Sequence, residues 1–195
     1  MMPLRILMVD NRDSFTWNLV HDLGRFGAEV DVRQACDWST EDAGHYDGVV
    51  LSPGPGLPNE SHGLMPLVEA WAPQHPILGV CLGLQALVGW SGGALRRMDQ
   101  VRHGLQTRAQ RMTDSPLLAE LPQFFEVGHY HSWCAERAAL PACWNISSVA
   151  EDDPELVLSL AHASLPLHAV QFHPESVLTP QGRAILKGWL ETLKA

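Results

Sequence analysis

The stretch Pro76 to Gln85 reads Pro-Ile-Leu-Gly-Val-Cys-Leu-Gly-Leu-Gln, and it restricts the fold more tightly than any other. The apolar run before Cys81 is short and shows no polar alternation, so it reads as a strand buried on both faces. Apolar positions Leu82, Leu84, Ala86, Leu87 and Val88 follow without a linker, which turns that strand sharply into a helix. Cys81 stands at the turn between Gly79 and Gly83. Glycines there admit the tight, strained backbone that lifts a side chain out of a sheet. A thiol at a helix N-terminus also faces unpaired N–H groups that favour the thiolate. Read alone, the motif fits a nucleophile and a buried structural cysteine equally well.

The rest of the chain sets the elbow in a sheet. Arg5 to Val9 is an apolar run ending at Asp10-Asn11, and Phe15, Leu19, Val20, Leu23 and Phe26 follow at helical spacing, with Asp13 or Ser14 as the cap. Gly24 and Gly27 mark the end of that helix, before the alternating Val30 and Val32 of a second strand. This strand, helix, strand order predicts an α/β protein with a mostly parallel, twisted open sheet and flanking helices. Asp47 to Ser52 is a further buried strand, and it runs into Pro53-Gly54-Pro55-Gly56-Leu57-Pro58, too rich in proline for regular structure. Ligand groups gather outside the carboxyl ends of parallel strands, so this loop and the Cys81 elbow are predicted neighbours. After a helix through Trp90, Gly92-Gly93 breaks the pattern. Strands are then expected at Phe124 to Tyr130, Ile146 to Val149, Leu156 to Leu160 and Leu167 to Phe172, with a closing helix over 180–193. No repeat or long linker divides the 195 residues, and a single domain over 1–195 is expected.

Several classes are set aside by composition. No run approaches the roughly twenty apolar residues of a membrane span, and the start lacks a basic, then apolar, leader pattern, so a soluble, cytoplasmic chain without membrane attachment is expected. The formal charge of -9 argues against nucleic acid, whose phosphates need a basic face. Cys36, Cys81, Cys134 and Cys143 have no CxxC spacing, and the histidines other than His131 and His173 share no ligand spacing with acids or cysteines. Neither a metal site nor a disulfide framework is expected.

A nucleophilic thiol needs a base and a group to orient that base. In Val170-Gln171-Phe172-His173-Pro174-Glu175-Ser176, Pro174 pushes His173 into an extended conformation, so His173 and Glu175 project to one side. Alone the pair fits a solvated turn; with the elbow it completes a Cys-His-Glu triad. The N–H of Leu82 and one from the Pro53 to Gly56 loop, with Gly54 the better candidate, are the expected oxyanion donors.

Together these residues resemble a known family. Gly-Val-Cys-Leu-Gly-x-Gln, Leu-Ser-Pro-Gly-Pro-Gly, Tyr-His-Ser at 130 to 132 and Gln-Phe-His-Pro-Glu-Ser are similar to the motifs of class I glutamine amidotransferases, which have a flavodoxin-like fold. The opening Asp10-Asn11-Arg12-Asp13-Ser14-Phe15-Thr16-Trp17-Asn18-Leu19 resembles the glutaminase subunits that serve chorismate-using enzymes. The resemblance implies that Cys81 attacks glutamine, His173 moves the proton, Glu175 holds His173, and Gly54 and Leu82 hold the oxyanion. It implies further that Gly54, Pro55, Gly56, Gln85, Ser132 and Trp133 bind L-glutamine. This chain would carry no cofactor; its partner would be a synthase subunit that binds chorismate and magnesium, in a hetero-oligomer. Anthranilate formation is the favoured destination and 4-amino-4-deoxychorismate formation the alternative. Residues 10–18 and 59–63 are the expected contacts with the partner.

Four places depart from the family pattern: Leu84 where this subgroup has His, Leu105-Gln106 after His103-Gly104, His129 before Tyr130, and Trp133 in place of Leu. His131, beside Ser132, either shapes the glutamine pocket or packs. A stand-alone cysteine hydrolase and a non-catalytic binding module are the rival readings.

Overall fold

The computed structural model describes residues 2–38 and 44–194. The chain runs β1 (Arg5–Asp10), α1 (Thr16–Arg25), β2 (Glu29–Gln34), β3 (Gly48–Leu51), α2 (Leu64–Trp71), β4 (Ile77–Val80) and α3 (Leu82–Trp90). It continues through β5 (Leu95–Arg111), β6 (Phe124–Ala135), β7 (Trp144–Ala150), β8 (Val157–His162), β9 (Leu167–Val170) and α4 (Gly182–Thr192). The strands form one nine-stranded sheet in the order β2-β1-β3-β4-β9-β8-β7-β5-β6.

The α/β sheet read from the sequence is present, and its parallel pairings lie where the elbow is. β2, β1, β3, β4 and β9 pair in parallel, whereas β9, β8, β7, β5 and β6 pair antiparallel. The parallel strands are buried on both faces because successive side chains alternate between two cores. Ile6 and Met8 pack with Leu19, Leu23, Ile185 and Trp189 of α1 and α4. Leu7 and Val9 pack with Leu64, Leu67, Trp71 and Leu87 of α2 and α3. β1, β3, β4 and β9 therefore stop at one edge, and their following loops collect there.

Two local readings are refined. Of the two cap candidates for α1, Asp13 is used, but ahead of the helix: its carboxylate accepts the Phe15 N–H at 2.8 Å, and Phe15 itself is the N-cap. The 17-residue β5 was not among the expected strands. It is mostly exposed and dense in Arg96, Arg97, Asp99, Arg102, Arg108 and Arg111, so it has no apolar alternation to betray it. Pairing with β6 holds it, across irregularities at Arg97/Arg102 and His103/Leu105. β6 in turn runs beyond Tyr130, carrying Ser132 and Trp133 to the elbow as part of a strand.

Candidate active site

Cys81 links β4 to α3 with φ 53° and ψ -100°. A positive φ is strained for a side-chain-bearing residue and costs on the order of 1–3 kcal/mol. The strain thus sits on the cysteine itself, whereas the flanking glycines serve close packing. A Cβ on Gly79 would come within 2.6 Å of the Gly83 carbonyl group, and one on Gly83 within 2.5 Å of the Leu51 carbonyl oxygen. The Cys81 N–H donates to Val170 at 2.8 Å and its carbonyl accepts the Gln85 N–H at 3.1 Å, which pins the turn on both sides. Leu82 opens α3, so its N–H has no intrahelical acceptor.

His173 and Glu175 come together as the Pro174 spacing predicts. His173 Nδ1 lies 2.7 Å from Glu175 Oε1, both side chains being buried. Because the carboxylate only accepts, Nδ1 carries the hydrogen and Nε2 is left to exchange a proton. Nε2 has no hydrogen bond of good geometry among the described residues. Burial pulls the imidazole pKa down, but the Cys81 sulfur and the Glu175 carboxylate outweigh it and raise it to about 10. The site thus favours the imidazolium. The backbone is clamped as well: the His173 N–H donates to Gly128, and the Thr179 hydroxyl donates to the His173 carbonyl at 2.7 Å. Phe15 and Tyr130 pack against the imidazole, with ring centroids 5.4 and 4.9 Å away.

A cavity of about 320 Å³ opens at Cys81, lined by Gly54, Pro55, Gly56, Gln85, Tyr130, His131, Ser132 and Trp133. Every residue that the family resemblance assigned to glutamine therefore lines one space. Its loop side is tied down by Asn11, whose amide donates to the Ser52 carbonyl at 2.9 Å while its N–H donates to the Ser52 hydroxyl at 2.8 Å. A Cβ on Gly54 would lie 2.7 Å from both Asn11 and Leu82 side-chain carbons. That close approach, rather than an ordinary turn, requires glycine there.

Tyr130 and Gln171, which sequence reasoning left without a role, also stand here, as does Phe15, expected on the first helix and in the partner-contact segment 10–18. All belong to the quoted motifs, but their contacts are long-range. Of the departures, Leu84 is fully buried in the core beneath α3 and Leu105 is half-exposed on β5, so neither lines the cavity. The other cysteines are unpaired, and burial pushes the Cys134 thiol up to about 11, away from reactivity.

His129 and His131 form a buried chain behind the cavity. His131 Nδ1 lies 3.0 Å from the Trp133 carbonyl, His129 Nδ1 lies 3.0 Å from His131 Nε2, and the Thr107 hydroxyl lies 2.7 Å from His129 Nε2. A carbonyl only accepts, so each ring donates from Nδ1 and accepts at Nε2, and both are satisfied when neutral. Burial lowers the pKa of His129 to about 3 and of His131 to about 4.

These shifts fix the sign of the pH dependence. Below pH 6.5 the unfolded chain protonates both rings while the folded chain does not, so stability is full above that value and falls as pH drops towards 4. For His131 the loss is on the order of 3 kcal/mol, and His168, lowered by burial to about 4, adds to it. His173 acts oppositely: its contribution is full below pH 6.5 and is lost as pH rises towards 10. The melting temperature is therefore expected to peak near neutrality, and His131→Gln, which keeps a donor and an acceptor, to flatten the acid limb. An unchanged acid limb in that variant would refute the assignment.

Among the described residues no cluster of histidine, cysteine or acidic side chains could hold a metal ion, and no helix is long and apolar enough to cross a membrane. A cysteine on a strand-to-helix elbow and a His-Glu pair, gathered at the carboxyl edge of an α/β sheet, are groups of the kind that acyl transfer uses. The family model described as glutamine amidotransferase class-I matches residues 7–193, and the chain belongs to that family. Its relatives include anthranilate synthase component 2 of Azospirillum brasilense, 42% identical with 97% of this chain and 96% of the relative covered. The protein of the same name from Mycobacterium tuberculosis H37Rv is 41% identical, over 96% of this chain and 82% of the relative. The fold matches a crystal structure of a glutamine amidotransferase from Thermotoga maritima with a TM-score of 0.77, at 16% identity and 97% coverage of both chains.

Proposed function

We propose that the chain hydrolyses L-glutamine and delivers the ammonia to a chorismate-using synthase subunit, with anthranilate formation the favoured destination. The observation that carries the reading is the cavity at Cys81, lined by glycines and polar groups, beside a His173–Glu175 pair that stabilises imidazolium. The names of the relatives support the destination.

The Cys81 sulfur attacks the side-chain amide carbon, its proton having passed to His173 Nε2. The N–H groups of Leu82 and Gly54 hold the oxyanion. The imidazolium then protonates the amide nitrogen, the C–N bond breaks, and ammonia leaves a glutamyl thioester on Cys81. Water attacks next, giving its proton to Nε2, and glutamate is released as the thiolate departs. Throughout, the Gln85 oxygen and the Pro55 carbonyl accept from the N–H groups of the substrate, the Gly56 N–H and the Ser132 hydroxyl donate to its carboxylate, and the Trp133 backbone lines the same space.

Magnesium belongs to the synthase in this reading, not to this chain. Residues 10–18, which include the largely exposed Trp17, and residues 59–63 flank the cavity side and are the proposed docking contacts. The test is ammonia and glutamate release by the purified chain, alone and with the large subunit of anthranilate synthase. Release that rises on adding that subunit supports the whole reading. A rise only with the aminodeoxychorismate enzyme would move the destination, and no release in any verified complex would reject the glutaminase.

A further inference from the structure

Gln171 follows β9 directly, is fully buried, and has its N–H fixed on the Leu158 carbonyl at 2.8 Å. Its side chain reaches the nucleophile, ninety positions away in sequence: Nε2 lies 3.6 Å from Cys81 Sγ. A carboxamide can present either its oxygen or its nitrogen, so the direction of that contact has to come from its surroundings. The Trp133 carbonyl can only accept. It takes the Gln85 amide at 3.0 Å, which turns the nitrogen end of Gln85 inwards. The same Gln85 nitrogen lies 3.4 Å from Gln171 Oε1, and this takes up the oxygen end of Gln171. Only the nitrogen end is left for the sulfur.

We propose that Gln171 is a further catalytic residue: its side-chain amide donates to the Cys81 sulfur and stabilises the thiolate before attack, held in that orientation by Gln85 and the Trp133 carbonyl. A thiolate is an acceptor only, and an N–H donor aimed at it makes a charge-assisted bond. The proton lost by sulfur goes to His173 Nε2, so Gln171 changes no protonation state. Its part in turnover rests on the glutamine-hydrolysing reading above, but its contact with sulfur does not. The test therefore starts with a reaction that needs no glutamine.

The first measurement is the rate of Cys81 alkylation by iodoacetamide at pH 7, resolved by peptide mass spectrometry because exposed Cys36 also reacts. Gln171→Met keeps the length of the side chain and removes the donor. Loss of a charge-assisted bond to the sulfur removes stabilisation of the thiolate. The higher nucleophilicity of the less stabilised thiolate returns part of the loss, so alkylation is expected to slow about threefold. Gln171→Glu keeps the acceptor for Gln85 but sets a carboxylate against the sulfur, and should slow alkylation about tenfold or more. With glutamine, Gln171→Glu should lower kcat at a nearly constant KM, because Gln85 stays in place; a merely structural role would not separate the two.

Wild-type alkylation rates in both folded variants would overturn the proposal. Should both variants fail to fold, the wild-type chain decides. The carboxamide resonance of Gln171 in 15N-labelled protein should move on alkylation of Cys81, and a stationary resonance would overturn the contact. Alkylation that follows the expected order in a chain that releases no ammonia would keep the sulfur contact and reject the glutaminase reading instead.

Discussion

Cys81→Ser is expected to abolish ammonia release from glutamine, by at least about 10⁴-fold in kcat, with little change in melting temperature. The substitution is nearly isosteric and keeps the strained φ at the elbow, so the packing of Gly79 against Gly83 is untouched. What changes is the nucleophile: a thiol ionises near pH 8.5 in its free form, whereas a hydroxyl stays protonated across the working pH range and is a far weaker nucleophile. Combining Cys81→Ser with His173→Gln should cost scarcely more than either alone, because the two act as a unit. A serine variant that kept a tenth of the activity would remove Cys81 from the chemistry and leave the hydrolase reading without a nucleophile.

Gly182→Ala is expected to damage stability and activity together, though it touches no candidate substrate group. Gly182 opens α4, and a Cβ there would overlap the Pro174 carbonyl oxygen, lying 2.5 Å from the carbonyl carbon and 2.9 Å from Pro174 Cα. Both sides of the clash are backbone, so relief requires either α4 or the His173-Pro174-Glu175 segment to move. The cost is about 2–4 kcal/mol, or a fall in melting temperature of roughly 10 °C for a chain of this size. Because Pro174 separates the base from its orienting carboxylate, kcat should fall by at least about tenfold in the fraction that remains folded. Gly89→Ala is the control: apart from its own stretch of helix, no described atom lies within 4 Å of its Cβ position, and alanine in a helix is neutral or stabilising. Equal behaviour of the two variants would mean that α4 does not buttress the site.

Much of this arrangement is legible in the sequence because it is written in local patterns. The Cys81 elbow, the rigid 53–58 loop and the His173-Pro174-Glu175 spacing each imply a backbone shape, and parallel sheets place such shapes at one edge. The first half of the fold was readable for the same reason: burial on both faces leaves near-continuous apolar runs in β1, β3 and β4. β5 offered no such run, since it is held by pairing with β6 and exposes Arg97 and Arg108 among mostly polar neighbours. Its length, and with it the course of β6 past Ser132 and Trp133, follows from pairing rather than from pattern.

The sequence alone determined the chemistry available to this protein: a thiol on a sharp turn, an imidazole beside a carboxylate, and glycines where a substrate must approach. Only the tertiary structure decided which distant polar groups meet. It put the Gln171 amide on the Cys81 sulfur, turned Gln85 towards the Trp133 carbonyl, and ran the His129–His131 chain behind the cavity. The physical reason is that strand and helix patterns repeat over a few residues and record which face is buried. A buried hydrogen bond between residues up to ninety positions apart is selected by packing, because there each donor and acceptor must find its partner without water.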